Sequence, residues 1–442
     1  SAVSYAARGV LPMDAEPIED GEVVVDDGLI VDVRLRRGRS DYDFGQAVIL
    51  PGLVNAHTHL EYTALRGFLE DVPFFPWIRA LTAAKASLTP DDWLWSTRQG
   101  ALECLRAGIT TIGDNADAGP TAQVAEECGL RGIVYQELFG IDDRELVGPI
   151  MARLAEKIAA HRRHASARVR VGVSPHALYT IRPALFETIN AYVSAQNLPT
   201  SIHIAESPAE SALTERGEGP FAEMYARRGI TWQPPHVSPT QYAAQMGALT
   251  PQTLAVHCVH QSPEDTQTLA RSQAAIVHCP KSNAKLGAGL APLTRWLQTP
   301  GLRVALGTDS AVSNNTLDLF EEMRFGLLMQ RTAQQQVDVV SARQMLALAT
   351  LGGAQAMGLD AQIGSLTPGK RADLIAVRLD APHTVPSTDP YAALVYSARA
   401  DDVRLTLCDG VVLYEDGLWP TLDAPAVLRQ VQAVRRRIEI GP

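Results

Sequence analysis

The middle of the chain alternates short apolar runs with longer stretches whose apolar residues recur at helical spacing, whereas both ends carry only short runs. The runs with strand character lie near Leu53–His57, Gly108–Asp114, Arg131–Glu137, Arg168–Ser174, Pro199–His203, Thr253–His257, Ala274–His278 and Leu302–Gly307. Between them, Asp91–Arg106, Leu185–Ala195, Pro263–Arg271 and Leu317–Gln330 read as helices, the last with its apolar positions on one face. Strand-then-helix alternation argues for parallel βα units. Eight such strands predict an α/β chain built on a (β/α)8 TIM barrel.

The ends follow a different pattern. Gly21–Arg34 reads as two β runs about Asp27-Gly28, and Val403–Tyr414 repeats the arrangement about Asp409-Gly410. Asp-Gly supplies the left-handed backbone that a two-residue hairpin turn needs. Ala372–Val377 adds a further strand. Neither end is long enough to bury a sheet face alone, and bare strand edges are avoided. The two ends are therefore expected to combine in one small β-sandwich domain, residues 1–52 with 366–442, beside a barrel of residues 53–365. The Ser207–Thr250 insert, interrupted by Pro234-Pro235, is expected to pass over one mouth of the barrel.

Composition fits this picture. Of 442 residues, 46% are apolar and 20% charged, near the globular average of about 45–50% and about 25%, so a packed core is expected. No run approaches the roughly 20 apolar residues that cross a membrane, and the N-terminus shows no export signal. The cysteines Cys104, Cys128, Cys258, Cys279 and Cys408 are far apart and form no CxxC pair. They are expected to be small buried residues in a reducing cytoplasm. A formal charge of −10 without a basic run argues against nucleic acid as a partner.

Metal-binding and acid–base residue types fall at the C-terminal ends of the expected strands: His57 and His59, Asp114, Glu137, His176, His203 with Glu206, His257 with His260, His278, and Asp309. A barrel gathers these ends on one face, where such folds keep their chemistry. His57-Thr-His59 points two imidazoles to one side of a strand end, and His203 and Asp309 end apolar strands in the same way. Three imidazoles and one carboxylate leave a position open for water, the pattern of a catalytic metal site. A divalent ion there makes water a nucleophile near neutral pH. Zn2+ is the first expectation, and the same donors accept Fe2+ or Mn2+. The fourth strand, Val169–His176, has no lysine that could be carbamylated to bridge a second ion, so a single ion is expected.

Glu206 sits on the loop leaving the strand that ends in His203, in position to act as general acid and base; a solvated loop acid is the alternative. His257 is placed to polarise the attacking water or the substrate, with a core histidine as the alternative. The turn His278–Asn283 either lines the pocket or caps local structure. His161, His164, His236 and His383 are expected at the surface.

Together these segments resemble the amidohydrolase superfamily, in its branch of mononuclear nucleobase and nucleoside deaminases and triazine hydrolases. Pro51–His59, Ser201–Glu206, Val256–His260, His278–Asn283, Leu306–Ser310 and Gly364–Leu374 occur in the family's order. The resemblance implies attack of activated water on an amidine-like ring carbon and loss of ammonia, with Glu206, His257 and Asp309 catalytic and His176 similar to a substrate-contacting histidine. The PCxxC element of the other zinc deaminase fold is absent.

The loop Leu60–Asp71 and the following Phe74–Trp77 look like those of aminodeoxyfutalosine deaminases and of S-adenosylhomocysteine or methylthioadenosine deaminases. The latter group usually has a ribose-binding glutamate soon after the tryptophan, which Ile78–Ser87 lacks, and often an arginine at the end of the third strand, where this chain has Gln136-Glu137. These departures favour the aminodeoxyfutalosine type. Glu61, Trp77 and Glu137 are candidate substrate contacts, with salt bridging of the acids and packing of the tryptophan as alternatives. Release of chloride or an alkylamine from a triazine is a second reading that uses the same groups. A metal-free scaffold is a third, opposed by the complete donor set. The expected partner is a small heterocycle, and the family's habit suggests a homo-oligomer.

Overall fold

A computed structural model describes residues 1–440 of the chain. The N-terminal segment supplies strands β1 (Val3–Val10), β2 (Ile18–Asp26), β3 (Leu29–Leu35), β4 (Tyr42–Asp43) and β5 (Ala47–Pro51). Then come β6 (Leu53–Thr58), β7 (Ile109–Ala116), β8 (Arg131–Leu138), β9 (Val169–Pro175), β10 (Thr200–Ile204), β11 (Thr253–His257), β12 (Ala275–His278) and β13 (Val304–Leu306). The chain finishes with β14 (Leu374–Arg378), β15 (Val403–Cys408) and β16 (Val411–Glu415).

Strands from the two ends form one sheet in the order β16-β15-β14-β5-β1-β2-β3, with β4 on β1. The ends meet where β5 pairs antiparallel with β14, Leu374 opposite Pro51 and Arg378 opposite Ala47. Both Asp-Gly turns adopt the expected left-handed backbone, with φ of 51° and 74° at Asp27 and Gly28, and 50° and 72° at Asp409 and Gly410. Alternate residues from both halves of the sheet (Tyr5, Ala7, Val23, Val25, Leu405, Leu407) share one buried cluster. The sheet therefore folds over its own inner face as a β-sandwich. The chain's last helix is Ala424–Ile440. Its Val427, Val431 and Val434 pack against Ala64 and Leu102 of the barrel, because that stripe finds its apolar counterpart there.

Strands β6 to β13 lie in sequence order and all pair in parallel. The eight expected strands are thus all present. Closure occurs at the seam between β13 and β6, where Asp309 bridges Thr58 and the Asp309 N–H donates to the His57 carbonyl at 3.0 Å. A Cβ on Gly307 would lie 2.9 Å from the Cβ and carbonyl oxygen of His57, so only glycine allows this approach.

Helices begin where sequence chemistry allows it. Thr89 with Asp92, and Ser262 with Asp265, form reciprocal capping boxes, each satisfying two N-terminal N–H groups. The Ser207–Thr250 insert folds into helices Pro208–Arg216, Pro220–Arg228 and Pro239–Gln245. The middle one stands at the barrel mouth together with the helix Phe74–Ala86. On the strand side opposite the mouth, Arg131 at the start of β8 donates to both oxygens of Asp373 (2.7 and 3.1 Å) and to Asp409, tying barrel to sandwich. All five cysteines are buried and unpaired. Among the described residues no helix is long and apolar enough to cross a membrane.

Candidate active site

His57 and His59 leave the end of β6 on the same side of the strand, as the two-residue period requires. Their Nε2 atoms both lie 3.3 Å from Asp309 Oδ1, which the seam between β13 and β6 brings into reach. His203, at the end of β10, places its ring 5.0 Å from that of His57 and 5.7 Å from that of His59. Outer hydrogen bonds fix the ring orientations. His59 Nδ1 donates to the Asn115 carbonyl at 3.1 Å and His203 Nδ1 to the His176 carbonyl at 2.7 Å, which turns each Nε2 inward, a common support for metal-binding histidines.

Both ring nitrogens of His57 are buried without a hydrogen-bond partner among the described residues, an arrangement that costs free energy unless something else engages them. Burial pushes the His57 imidazole down to about 4 and that of His203 well below its ordinary range. Both are thus neutral with lone pairs available. Burial works against ionising Asp309, yet His57 and His59 outweigh it and hold the carboxyl well below the usual carboxylate range. The candidate ligand atoms of His57, His59 and Asp309 lie within 4.8 Å of one another, as do those of His57, His203 and His257. Three imidazoles and a carboxylate at this spacing suit a mononuclear site with an open position.

Glu206 Oε2 is 3.1 Å from His257 Nε2, and His257 Nε2 is 3.6 Å from Asp309 Oδ2. The turn after β12 holds this arrangement. His257 Nδ1–H donates to Asn283 Oδ1 at 2.9 Å, and the Ser282 hydroxyl donates to Asp309 Oδ2 at 2.9 Å. The His278–Asn283 segment therefore braces His257 and Asp309 and does not line the cavity. Burial raises the Glu206 carboxyl above its ordinary value. Left-handed backbone at Ala205, His257, Cys258 and Asp309 (φ 54°, 79°, 48° and 57°) concentrates strain here, as is frequent at functional sites.

Above these groups opens a cavity of about 810 Å³, with His59, His203, Glu206 and Asp309 at its floor. Three of the expected substrate contacts line it: His176, Glu137 and Trp77. His176 Nδ1 is 3.0 Å from the Thr180 hydroxyl, and its Nε2 is 3.9 Å from Glu137. Among the described residues, the buried Glu137 Oε2 and the indole N–H of Trp77 have no hydrogen-bond partner. Burial lifts the Glu137 carboxyl to about 7.

Glu61 is brought elsewhere. It does not line the cavity; its carboxylate accepts the backbone N–H groups of Asp117 (2.8 Å) and Ala118 (3.1 Å) and so shapes the loop after β7. His161 also differs from expectation. It is buried at 7% exposure, because its helix turns that position toward Gln136, whose Oε1 lies 2.8 Å from Nε2. His260 bonds the Ala288 carbonyl at 2.7 Å and takes no part in the cavity. Several lining residues escaped the sequence reading. Tyr179, three positions after His176, stacks on Phe221 at 4.1 Å, and Arg227 and Arg228 come from the helix over the mouth. The proximity of Tyr179 to His176 was a usable signal; the arginines had none, since docking of that helix is a tertiary event.

Residues 48–413 match the Amidohydrolase family. The chain belongs to that family. It is 36% identical over 393 residues to a 5-methylthioadenosine/S-adenosylhomocysteine deaminase of Desulforudis audaxviator, covering 88% of this chain and 87% of that one. It is 33% identical to a 5'-deoxyadenosine deaminase of Methanothermobacter thermautotrophicus, with 95% of each chain covered. Among solved structures, an adenosine deaminase from Xanthomonas campestris with bound zinc superposes with a TM-score of 0.88 at 28% identity, covering 99% of this chain and 98% of that one. A zinc-bound atrazine chlorohydrolase from Arthrobacter aurescens reaches 0.85 at 24% identity over 98% and 100% of the two chains, a likeness of fold. As an amidohydrolase among deaminases, this member is a hydrolase acting on carbon–nitrogen bonds.

Proposed function

We propose that the chain is a hydrolytic deaminase that converts the 6-amino group of an adenine-type nucleoside to a 6-oxo group and releases ammonia. The observation that carries this reading is the Glu206–His257 pair, 3.1 Å apart, beside the donors His59, His203 and Asp309 that line the cavity and His57 buried against them. A divalent ion held by His57, His59, His203 and Asp309 supplies Lewis acidity and a nucleophile from water at neutral pH. Our reading is zinc, supported by the donor set and by the zinc in the Xanthomonas relative.

The chain's own groups then move protons. Glu206 takes one proton from the attacking water and gives it to the ring nitrogen beside the amino-bearing carbon. Its buried carboxyl, raised above the ordinary value, is able to hold that proton between the two events. His257, with Nδ1–H fixed on Asn283, directs Nε2 at the same space and orients the attacking oxygen. Asp309, steadied by Ser282, receives the second proton, which leaves with the amine. The C–N bond breaks as the carbonyl forms, so water enters and ammonia departs. His176, kept neutral because burial pushes it to about 3, and Glu137 and Trp77 hold the heterocycle.

Within the class we favour aminodeoxyfutalosine, on the character of the Leu60–Asp71 loop and the missing acid in Ile78–Ser87. Methylthioadenosine, S-adenosylhomocysteine and 5'-deoxyadenosine, named for the relatives, are the alternatives. A homo-oligomeric, cytoplasmic enzyme completes the reading, on the family's habit and the five unpaired cysteines.

The test is ammonia release by zinc-loaded protein against these nucleosides, adenosine, guanine and cytosine, with Glu206→Gln as control. Release from an adenine nucleoside, reduced by about 100-fold to 10,000-fold in the control, supports the reading. Release of chloride or an alkylamine from a triazine, with no nucleoside turned over, replaces it.

A further inference from the structure

Among the buried acids that the proton transfers leave unused, Glu322 is fully enclosed, at 0% exposure. Its helix, Leu319–Gln334, starts at Asp318, whose carboxylate accepts the N–H groups of Phe320 and Glu321 at 2.8 and 3.3 Å. Glu321 pairs with Lys281 near the surface, as a charged side chain ordinarily does. Glu322 turns inward instead, one helical turn before Gly326. A Cβ on Gly326 would lie 3.2 Å from Pro280 Cγ, so the missing side chain lets this helix close on the turn after β12. Burying a carboxyl costs free energy unless hydrogen bonds offset it, and burial pushes this one up to about 8.

Both of its oxygens are engaged. Oε2 accepts the Lys281 N–H at 3.2 Å and Oε1 accepts the Asn314 side-chain amide, which also donates to the Thr308 carbonyl at 2.7 Å. The Lys281 N–H belongs to the first turn of the helix Pro280–Lys285, where no acceptor within the helix is available. One carboxyl therefore ties the turn after β12 to the turn after β13. The residues beside its contact points are the ones that hold the proton carriers. Ser282, next to Lys281, donates to Asp309 Oδ2, and Asn283 accepts from His257 Nδ1–H. Ser313, next to Asn314, lies 2.9 Å from the Ser282 hydroxyl, and Thr308 directly precedes Asp309.

We propose that Glu322 is a positioning residue for the hydrolysis: by bridging Lys281 and Asn314 it fixes where Asn283 and Ser282 hold His257 and Asp309. This rests on the roles given above to His257 and Asp309. Glu322 lines no part of the cavity and touches no reacting atom. Its loss displaces the proton-transfer groups and leaves the contacts for the heterocycle at His176, Glu137 and Trp77 in place. A glutamine keeps one acceptor oxygen and sets an amide against the other donor, so one of the two bonds survives. A leucine keeps neither.

The experiment compares the zinc-loaded full chain with its Glu322→Gln and Glu322→Leu variants. Glu22→Gln serves as control, because Glu22 is a buried carboxylate of the sandwich, bonded to Arg34 at 2.9 Å and Ser40 at 2.8 Å. Kinetic constants are measured on the adenine nucleoside that the wild type deaminates fastest. The His257 Nδ1–H signal is followed by NMR on protein with isotope-labelled histidine, and is assigned by its loss in Asn283→Ala. Displacing a reacting group by about 1 Å can cost about 100-fold, so kcat should fall about tenfold in Glu322→Gln and up to about 100-fold in Glu322→Leu, with KM within about twofold. The His257 signal should broaden in the same order, and Glu22→Gln should leave all three readouts unchanged. An unchanged kcat in folded, zinc-loaded Glu322→Gln would overturn the inference, as would a rise in KM that matches the fall in kcat, or an equal loss in Glu22→Gln. Should Glu322→Leu fail to fold, Glu322→Gln decides by the same criteria. Should no nucleoside be deaminated, the functional reading fails by itself and the NMR signal decides. Broadening in Glu322→Gln but not in Glu22→Gln sustains the bridge; an unaltered signal ends it.

Discussion

Asp309 touches His57 twice, through its backbone N–H on the His57 carbonyl at 3.0 Å and through its carboxylate at 3.3 Å from His57 Nε2. The bond that closes the barrel and the contact that gathers the donor cluster are therefore made by the same two residues. Errors in the seam become errors in the site.

Gly307→Ala tests that coupling. The added methyl meets backbone and Cβ atoms of His57 at 2.9–3.0 Å, which cannot swing away as a flexible side chain would. We expect destabilisation of about 1–3 kcal/mol together with weakened metal retention. Thermal unfolding and metal content after dialysis measure both; full occupancy with lowered stability would separate seam from site.

Asn283→Ala leaves His257 Nδ1 without its acceptor at 2.9 Å. Ring orientation and tautomer both loosen, and we expect a loss of up to about 100-fold, the low end of what a positioned acid–base group contributes. The fall should appear in kcat with the metal content unchanged, because His257 is not among the four expected ligands.

Chelation removes the charge that the buried cluster accommodates. We expect activity to vanish and the unfolding midpoint to drop, since an ion bound only by the folded state stabilises it by mass action. Both should return on adding zinc, while a protein whose stability ignored chelators would contradict the assigned donors.

His161 gives a pH signature away from the cluster. Burial lowers its pKa from 6.5 to about 4, so between these values the unfolded chain binds the proton first. Stability from this residue is complete above about pH 6.5 and declines as pH falls towards 4, by at most about 3.4 kcal/mol at 1.36 kcal/mol per pKa unit. Urea midpoints measured across that window should fall more steeply for the wild type than for His161→Gln; parallel curves would remove His161 as the cause.

Much of this protein is legible in its sequence. Eight apolar runs, each ending in residues such as His57, His203 or Asp309, gave the barrel and its chemical face, because strand period and apolar patterning are local properties. The Asp-Gly pairs at 27–28 and 409–410 gave the hairpins through the backbone freedom of two residues. What required the tertiary structure was every decision about who meets whom. Glu61 and Glu137 are equally plausible acids in the sequence, yet one is spent on the N–H groups of Asp117 and Ala118 and the other faces the cavity. His161 reads as a surface residue until a neighbouring strand presents Gln136, and Arg227 and Arg228 reach the cavity only because their helix settles over the mouth. Local sequence sets the conformation of a segment and the chemistry it carries. Burial and partnership depend on surfaces contributed by residues far away in the chain, and no local pattern encodes them.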